Sequence, residues 1–207
     1  MRQEPANKRV VAFIDGQNPF HSVKSAFGYS YPNYDVGKLC AAICAREAGW
    51  ILKQTRFYTG VPKETDNKTW HLFWKKKLSV MGRLPGIFIC TRELKYRLLR
   101  FRDTAGAEHT GFAGVEKGID VRIALDIIHL AHKQEFDVAL VFSQDQDLSE
   151  VALEIINISE EQDRWIKVAS AYPISPVYTN ARGINRTTWI QFDKAQYDAC
   201  IDPKPYK

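Results

Sequence analysis

The sequence is short of paired cysteines. Cys40, Cys44, Cys90 and Cys200 are its four cysteines. They form no C-x-x-C and no Cys/His spacing of a zinc site, so neither a disulfide framework nor structural zinc is indicated. Cys40 and Cys44 stand one helical turn apart in an apolar stretch, where small thiols are usually buried. Long apolar runs are missing as well. None reaches the ~18 residues of a membrane span, so no membrane partner is expected. The first nine residues carry Arg2, Lys8 and Arg9 but no signal-peptide apolar core, and a cytoplasmic location is the expectation. No P-loop or G-x-G-x-x-G is present, which removes the usual signal for ATPase or dinucleotide chemistry, and no nucleotide cofactor is expected. Ser143 lacks the G-x-S-x-G setting of a hydrolase nucleophile. His71, His109, His129 and His132 have no evident nucleophile or metal partner.

What is present suits one globular domain. The chain has 207 residues, 45% apolar and 26% charged, enough for one well-buried core and too few for two comfortable ones. The net charge of +5 and isoelectric point near 9.0 permit a polyanionic partner without demanding one. The placement of charge says more. Lys75, Lys76, Lys77, Arg83, Arg92, Lys95, Arg97, Arg100 and Arg102 make a basic block in the middle third, interleaved with Trp70, Phe73, Trp74, Tyr96 and Phe101.

Short continuous apolar runs alternate with amphipathic stretches. Residues 10–14 and 137–142 read as strands buried on both faces, and 51–59, 86–90 and 165–171 as further strands, the one begun at 86 continuing through Leu94 and Tyr96. A short strand is expected over 189–192, with a small helix after Asp193. Helices are predicted over 19–26, 36–47 (capped by Asp35 and ended by Gly49), 67–81, 120–133 and 148–158. Residues 105–114 read as loop. The alternation predicts an α/β fold, with a mostly parallel central sheet and helices on both faces. The expected division is a tail at 1–9, one domain over 10–172 and an extension over 173–207 packed on it.

In open α/β sheets, ligands bind beyond the carboxyl ends of the strands. The first strand runs into Asp15-Gly16-Gln17-Asn18 and the 137–142 strand into Ser143-Gln144-Asp145-Gln146-Asp147. The helix leading to that second strand starts at the same edge, which returns Asp120 there. Asp15, Asp120 and Asp145 are therefore expected to converge. Close carboxylates repel and need a cation or protons to be tolerated. Oxygen donors without Cys or His suit Mg²⁺ or Mn²⁺ rather than zinc, and such an ion activates water and neutralises phosphoryl charge.

Plainer roles stand beside these. Asp15 before glycine can be a turn residue, and Asp120 a first-turn acid that suits the helix dipole. Asp147, with Glu150 three residues on, suits a capping box as well as a metal, whereas Asp145 has no such alternative role. Asn18 fits phosphate or metal contact at a helix start and fits an N-cap equally. Lys117 can meet phosphate or relieve repulsion. Asp126 points off the face of Asp120 and reads either as a support behind the site or as structural, and Glu116 joins Asp120 only if the helix extends back through Gly118.

Together, residues 13–18, 117–121 and 143–147 resemble the NYN domain family, a branch of the PIN-like metal-dependent ribonucleases that includes LabA-like bacterial proteins. The resemblance spans residues 10–171. It implies a PIN-like (Rossmannoid) sheet and an acidic Mg²⁺/Mn²⁺ site at Asp15, Asp120, Asp145 and Asp147, with Asn18 nearby. Gln144 and Leu148 depart from the family's usual S-G-D-x-D-F, and Gln144 is expected to crowd the loop near the metal. The expected activity is endoribonucleolytic, on an RNA partner. Asn18, Lys117 and Ser143 would sit close to the scissile phosphate. Lys75, Lys76 and Arg97 would lie along the backbone, with Trp74 or Tyr96 available for stacking. The competing reading is a non-catalytic RNA- or protein-binding module. A phosphatase ranks lower for want of a D-x-D after the first strand. A homo-oligomer stays open.

Overall fold

The computed structural model describes residues 2–102, 108–115, 117–204 and 206. Glu116 and the side chains of Phe101, Arg102 and His109 lie outside the described residues. The central sheet has six strands, all paired in parallel. In chain order they are β1 (Lys8–Asp15), β2 (Trp50–Val61), β3 (Ile87–Glu93), β6 (Val138–Phe142), β7 (Lys167–Pro173) and β8 (Thr188–Phe192), arranged in space as β3-β2-β1-β6-β7-β8. A separate antiparallel hairpin, β4 (Lys95–Arg102) and β5 (Glu108–Val115), stands outside that sheet.

The apolar run of β1 explains the layering. Successive side chains of a strand point to opposite faces, so Val10, Ala12 and Ile14 join one core cluster and Val11 and Phe13 the other. The first cluster lies beneath α1 (Gln17–Phe27), α2 (Val36–Cys44), α3 (Lys68–Met81) and α6 (Lys194–Asp198). The second lies beneath α4 (Ile119–His132) and α5 (Ser149–Glu161), where Ile119, Ile123, Ile127 and Leu130 make the helical stripe. Asp35 caps α2 as expected, accepting from Lys38 N–H, and two further side chains cap helices: Asn67 accepts from Trp70 N–H, and Asp193 forms a capping box with Gln196. Among the described residues, no helix is long and apolar enough to cross a membrane.

Three expectations need correction. The stretch read as loop over 105–114 is largely strand: β5 begins at Glu108 and pairs with β4 along its length. Gly111 and Gly114 mask its strand pattern, and the hairpin partner, which local propensity cannot report, supplies its hydrogen bonds. The strand begun at residue 86 does not continue through Tyr96. It ends as β3 at Glu93, Leu94 N–H donates to the Val61 carbonyl, and the chain turns away into β4. Helix α2 stops at Cys44, not at Glu47.

The lysine run also divides. Lys75 and Lys76 are exposed on α3, but Lys77 is 1% exposed. Its ammonium donates to the Tyr34 carbonyl at 2.8 Å, stands over the rings of Tyr34 and Tyr206, and lies 4.0 Å from Asp202. Burial lowers its pKa to about 8 against the pull of Asp202 and Asp35. At helical spacing Lys77 shares the inward face of Phe73, Trp74 and Met81, so it is neither a solvated lysine nor part of a cationic strip.

Candidate active site at the carboxyl end of the sheet

Two neighbouring strands set the site. Ile14 and Phe142 are register partners in the β1–β6 pair, so Asp15 and Ser143 leave the sheet side by side. Gly16 follows immediately and donates to the Tyr58 carbonyl at 2.6 Å. A methyl group at residue 16 would lie 2.8 Å from that oxygen and 2.9 Å from the Phe57 ring, so only glycine lets the chain turn this tightly against β2. The turn aims the first N–H groups of α1 back at Asp15, whose Oδ1 accepts from Asn18 N–H. Helix α4 begins at Ile119 and runs back towards the start of β6, which leaves Asp120 in its first turn at the same edge.

Asp15 is 8% exposed. Burial pushes its pKa up from 3.8 to about 6, against the N–H groups of Asn18 and Gln17, and the charges of Asp145 and Asp120 push the same way. The fold thus brings Asp120 and Asp145 within electrostatic reach of Asp15. Among the described residues, no three His, Cys, Asp or Glu side chains form a ready-made metal cage. The donor set still fits a hard divalent cation. It is all oxygen, one carboxyl is buried and repelled by two acids, and ions such as Mg²⁺ are commonly held by one or two carboxylates plus water and phosphate.

The capping role open to Asp147 in the sequence falls instead to Asp145. Asp145 is the cap: its Oδ1 accepts from Asp147 N–H at 3.0 Å, opening a 3₁₀ turn over Gln146–Leu148. Asp147 is exposed and makes no capping box with Glu150, because the N-cap of α5 is Leu148, with no side-chain cap. Ser143 is 1% exposed and its Oγ accepts from Asp145 N–H, so it shapes the loop. Asn18 is not the N-cap of α1; Gly16 is, and Asn18 Oδ1 accepts from Gln144 N–H at 2.9 Å, tying the two strand-end loops together. Lys117 is exposed, just ahead of Asp120. Lys75 and Lys76 sit on the outer face of α3, and Arg97 is exposed on β4.

Gln144 does not crowd the carboxylates. Its side chain is buried and turned to the segment after β7, where Nε2 donates to the carbonyls of Asn180 and Arg182 and Oε1 accepts from the Tyr178 hydroxyl. Gln146 adds bonds to Gly183 and Asn185. The alternation of Gln and Asp over 144–147 therefore divides the loop: the amides hold the chain's last quarter while Asp145 stays at the sheet edge. Beside Gly16 and Gln17 opens a cleft of about 320 Å³, with Phe20, His21, Trp70 and Tyr96 among its walls. Gln17, His21 and Lys24 recur at helical spacing on α1, a signal the sequence reading passed over.

The buried acid makes the ion-free protein pH-sensitive. A carboxyl whose pKa rises on folding contributes stability below its unfolded value and loses it as pH rises through the folded one. Between about pH 4 and pH 6, Asp15 should therefore cost the native state up to roughly 3 kcal/mol, from ~2 pH units at 1.36 kcal/mol each. In EDTA, urea denaturation at pH 4.5 and pH 7.5 should show the wild type losing stability relative to Asp15→Asn. Parallel pH profiles for the two proteins would remove this account of Asp15.

The NYN domain family model matches residues 9–172, a span that contains α4, β6, all of β1 but Lys8, and the candidate residues Asp15, Asp120, Asp145 and Asp147. No curated protein matches the chain. A protein of unknown function from Vibrio parahaemolyticus shares 18% identity at a TM-score of 0.47, over 97% of this chain and 93% of that one. Ribokinase from Giardia lamblia shares 12% identity at a TM-score of 0.37, over 84% of this chain and 52% of that one. Likenesses this weak leave the family match as the identifying result. Most of the sheet, both strand-end loops and the start of α4 fall inside that match, and the chain belongs to the NYN domain family.

Proposed function

We propose that the protein is a metal-dependent endoribonuclease that hydrolyses RNA phosphodiesters at the Asp15 edge of the sheet. The observation that carries this reading is the buried Asp15 carboxyl, its pKa raised to about 6 by burial, with Asp145 and Asp120 adding to the rise. Membership of a family of PIN-like nucleases supports a nuclease-type function.

Asp15, Asp120 and Asp145 would hold Mg²⁺ or Mn²⁺, with Asp147 meeting the ion directly or through water. When bound, such an ion lowers the pKa of a water and offsets charge on the phosphoryl group. The chain's own residues supply position. The hydrogen bond from Asp147 N–H to Asp145 Oδ1 fixes the carboxylate in its loop. Asn18 keeps the β1 and β6 loops in fixed relation through Gln144, and Ser143 holds the loop that carries Asp145. Lys117 offers an exposed cation beside the start of α4, where a phosphate oxygen gains from the helix dipole as well. Lys75 and Lys76 on α3 and Arg97 on β4 are exposed cations for the flanking phosphates. Water attacks phosphorus, the bond to the departing ribose oxygen breaks, and that oxygen leaves with a proton.

Purified protein incubated with end-labelled single-stranded and structured RNAs should cut in Mn²⁺ or Mg²⁺ and stop in EDTA. RNA that stays intact under every metal tested would reduce the protein to a binding module.

A further inference from the structure

The cleft beside Asp15 has a chemistry different from that of the carboxylates. Trp70 and Trp74 come from α3, Phe20 and His21 from α1, and Tyr96 from β4. These rings are held by packing. Trp70 meets Phe73 edge-on at 5.1 Å and Phe20 at 6.3 Å, and Trp74 lies 5.8 Å from Phe57. Across the hairpin Tyr96 pairs with Gly114, and a methyl at residue 114 would come within 3.4 Å of the Tyr96 ring. The ring therefore lies over bare backbone, on the side that lines the cleft.

Size and polarity narrow the occupant. A volume of about 320 Å³ is at the small end of ligand pockets, ~300–1,000 Å³. Its walls suit a flat ring, and its rim carries Gln17, His21 and Lys24. Partial desolvation, with Lys24 nearby, lowers the pKa of the solvent-facing His21, so a neutral imidazole can both donate and accept at neutral pH. The rim is covalently continuous with the acidic site, because Gly16 and Gln17 directly follow Asp15. A phosphodiester at Asp15 is joined to its base through a single ribose, which brings that base within reach of the cleft.

We propose that the cleft receives one unpaired nucleobase of the bound strand, stacked against Trp70 and Tyr96, so that the site prefers single-stranded to double-stranded RNA. This rests on the nuclease reading for the identity of the strand as RNA. The rings sit beside the carboxylates, and a base held in a duplex cannot leave its stack to enter without the cost of unpairing.

Binding of a fluorescein-labelled single-stranded RNA, measured in EDTA so that no cutting intervenes, tests it. Tyr96→Ala should weaken binding about tenfold, the scale of one lost base–aromatic stack, while Tyr96→Phe stays within about twofold. A duplex of the same sequence should bind more weakly and respond equally little to either change. Lys24→Gln, at an exposed position, should weaken binding about threefold and slightly lessen its salt dependence. Equal affinity of wild type and Tyr96→Ala for the single strand, with matching thermal melts, overturns the pocket. So does a nucleoside monophosphate that binds as tightly as RNA, which would make this a free-nucleotide site. Cleavage assays on the same preparations separate the two readings. Cutting with Tyr96-independent affinity sinks the pocket alone, and Tyr96-dependent binding without cutting in any metal sinks the nuclease alone.

Discussion

Asp145→Asn and Asp15→Asn should each lower RNA cleavage by roughly a hundredfold or more with the fold intact. A cation at such a site supplies several kcal/mol of transition-state stabilisation, and each 1.36 kcal/mol lost is a factor of ten in rate. Asparagine keeps the shape and one oxygen, so the amide of the Asp145→Asn variant can still cap the 3₁₀ turn, as Asp145 does through Asp147 N–H. What disappears is one negative charge. The two variants should differ in stability. Asp15 is buried, with a pKa raised to about 6 by that burial and by Asp145 and Asp120, so neutralising it relieves the native state above that pH. Asp145 is only partly buried, so its neutralisation should change stability little. An inactive protein that is more stable than its parent in EDTA is the signature of a residue retained for function at the expense of folding. Single-turnover cleavage in Mn²⁺ beside urea denaturation in EDTA measures both. Either variant cutting at the wild-type rate removes that carboxylate from the site.

Asp126→Ala should cost about 3–5 kcal/mol of stability, the usual consequence of removing one partner from a buried ion pair. Asp126 is 5% exposed and lies on α4. It accepts from Arg56 at 3.1 Å and from the Tyr58 hydroxyl at 2.7 Å, both on β2, and from Arg122 one turn back on its own helix. Alanine leaves the Arg56 guanidinium, whose side chain is 20% exposed, and the buried Tyr58 hydroxyl short of an acceptor. Gln54 Oε1 retains one bond to Arg56 but carries no charge. The cluster matters to the site through geometry, because it fixes α4 to β2 while the first turn of the same helix carries Asp120. Tyr58→Phe removes a single bond and should cost only about 1 kcal/mol. Urea denaturation distinguishes the two, and a loss below about 1 kcal/mol for Asp126→Ala would mean that Arg56 finds water instead.

The parts of this molecule that a linear reading recovers share one property: their neighbours along the chain already carry the signal. Strands β1 and β6 are buried on both faces and show as unbroken apolar runs, and α4 shows as an isoleucine stripe. The order of strand, acid and helix then places Asp15, Asp120 and Asp145 at one edge, since every parallel strand points its end the same way. Helical phase alone also took Asp126 off the face of Asp120.

Other features depended on partners distant in sequence. Residues 108–115 look like loop until β4 supplies the opposite edge. Lys77 looks like one of three equal lysines until Tyr34, Tyr206 and Asp202 gather around it. The Gln144 side chain fits only because the segment after β7 brings the Asn180 and Arg182 carbonyls to it. Capping, too, passed from Asp147 to Asp145 because the loop enters a 3₁₀ turn first.

Hydrophobic period and the direction of parallel strands, both local quantities, thus determined the sheet, its helical layers and the shared edge of the acids. Tertiary packing alone decided how deeply Asp15 is buried, which polar side chains hold the loops, and that Trp70 and Tyr96 face one cleft. Burial and hydrogen bonding at those places are made by atoms far apart in the chain, 126 residues in the case of Asn18 and Gln144, and no window of sequence contains both partners.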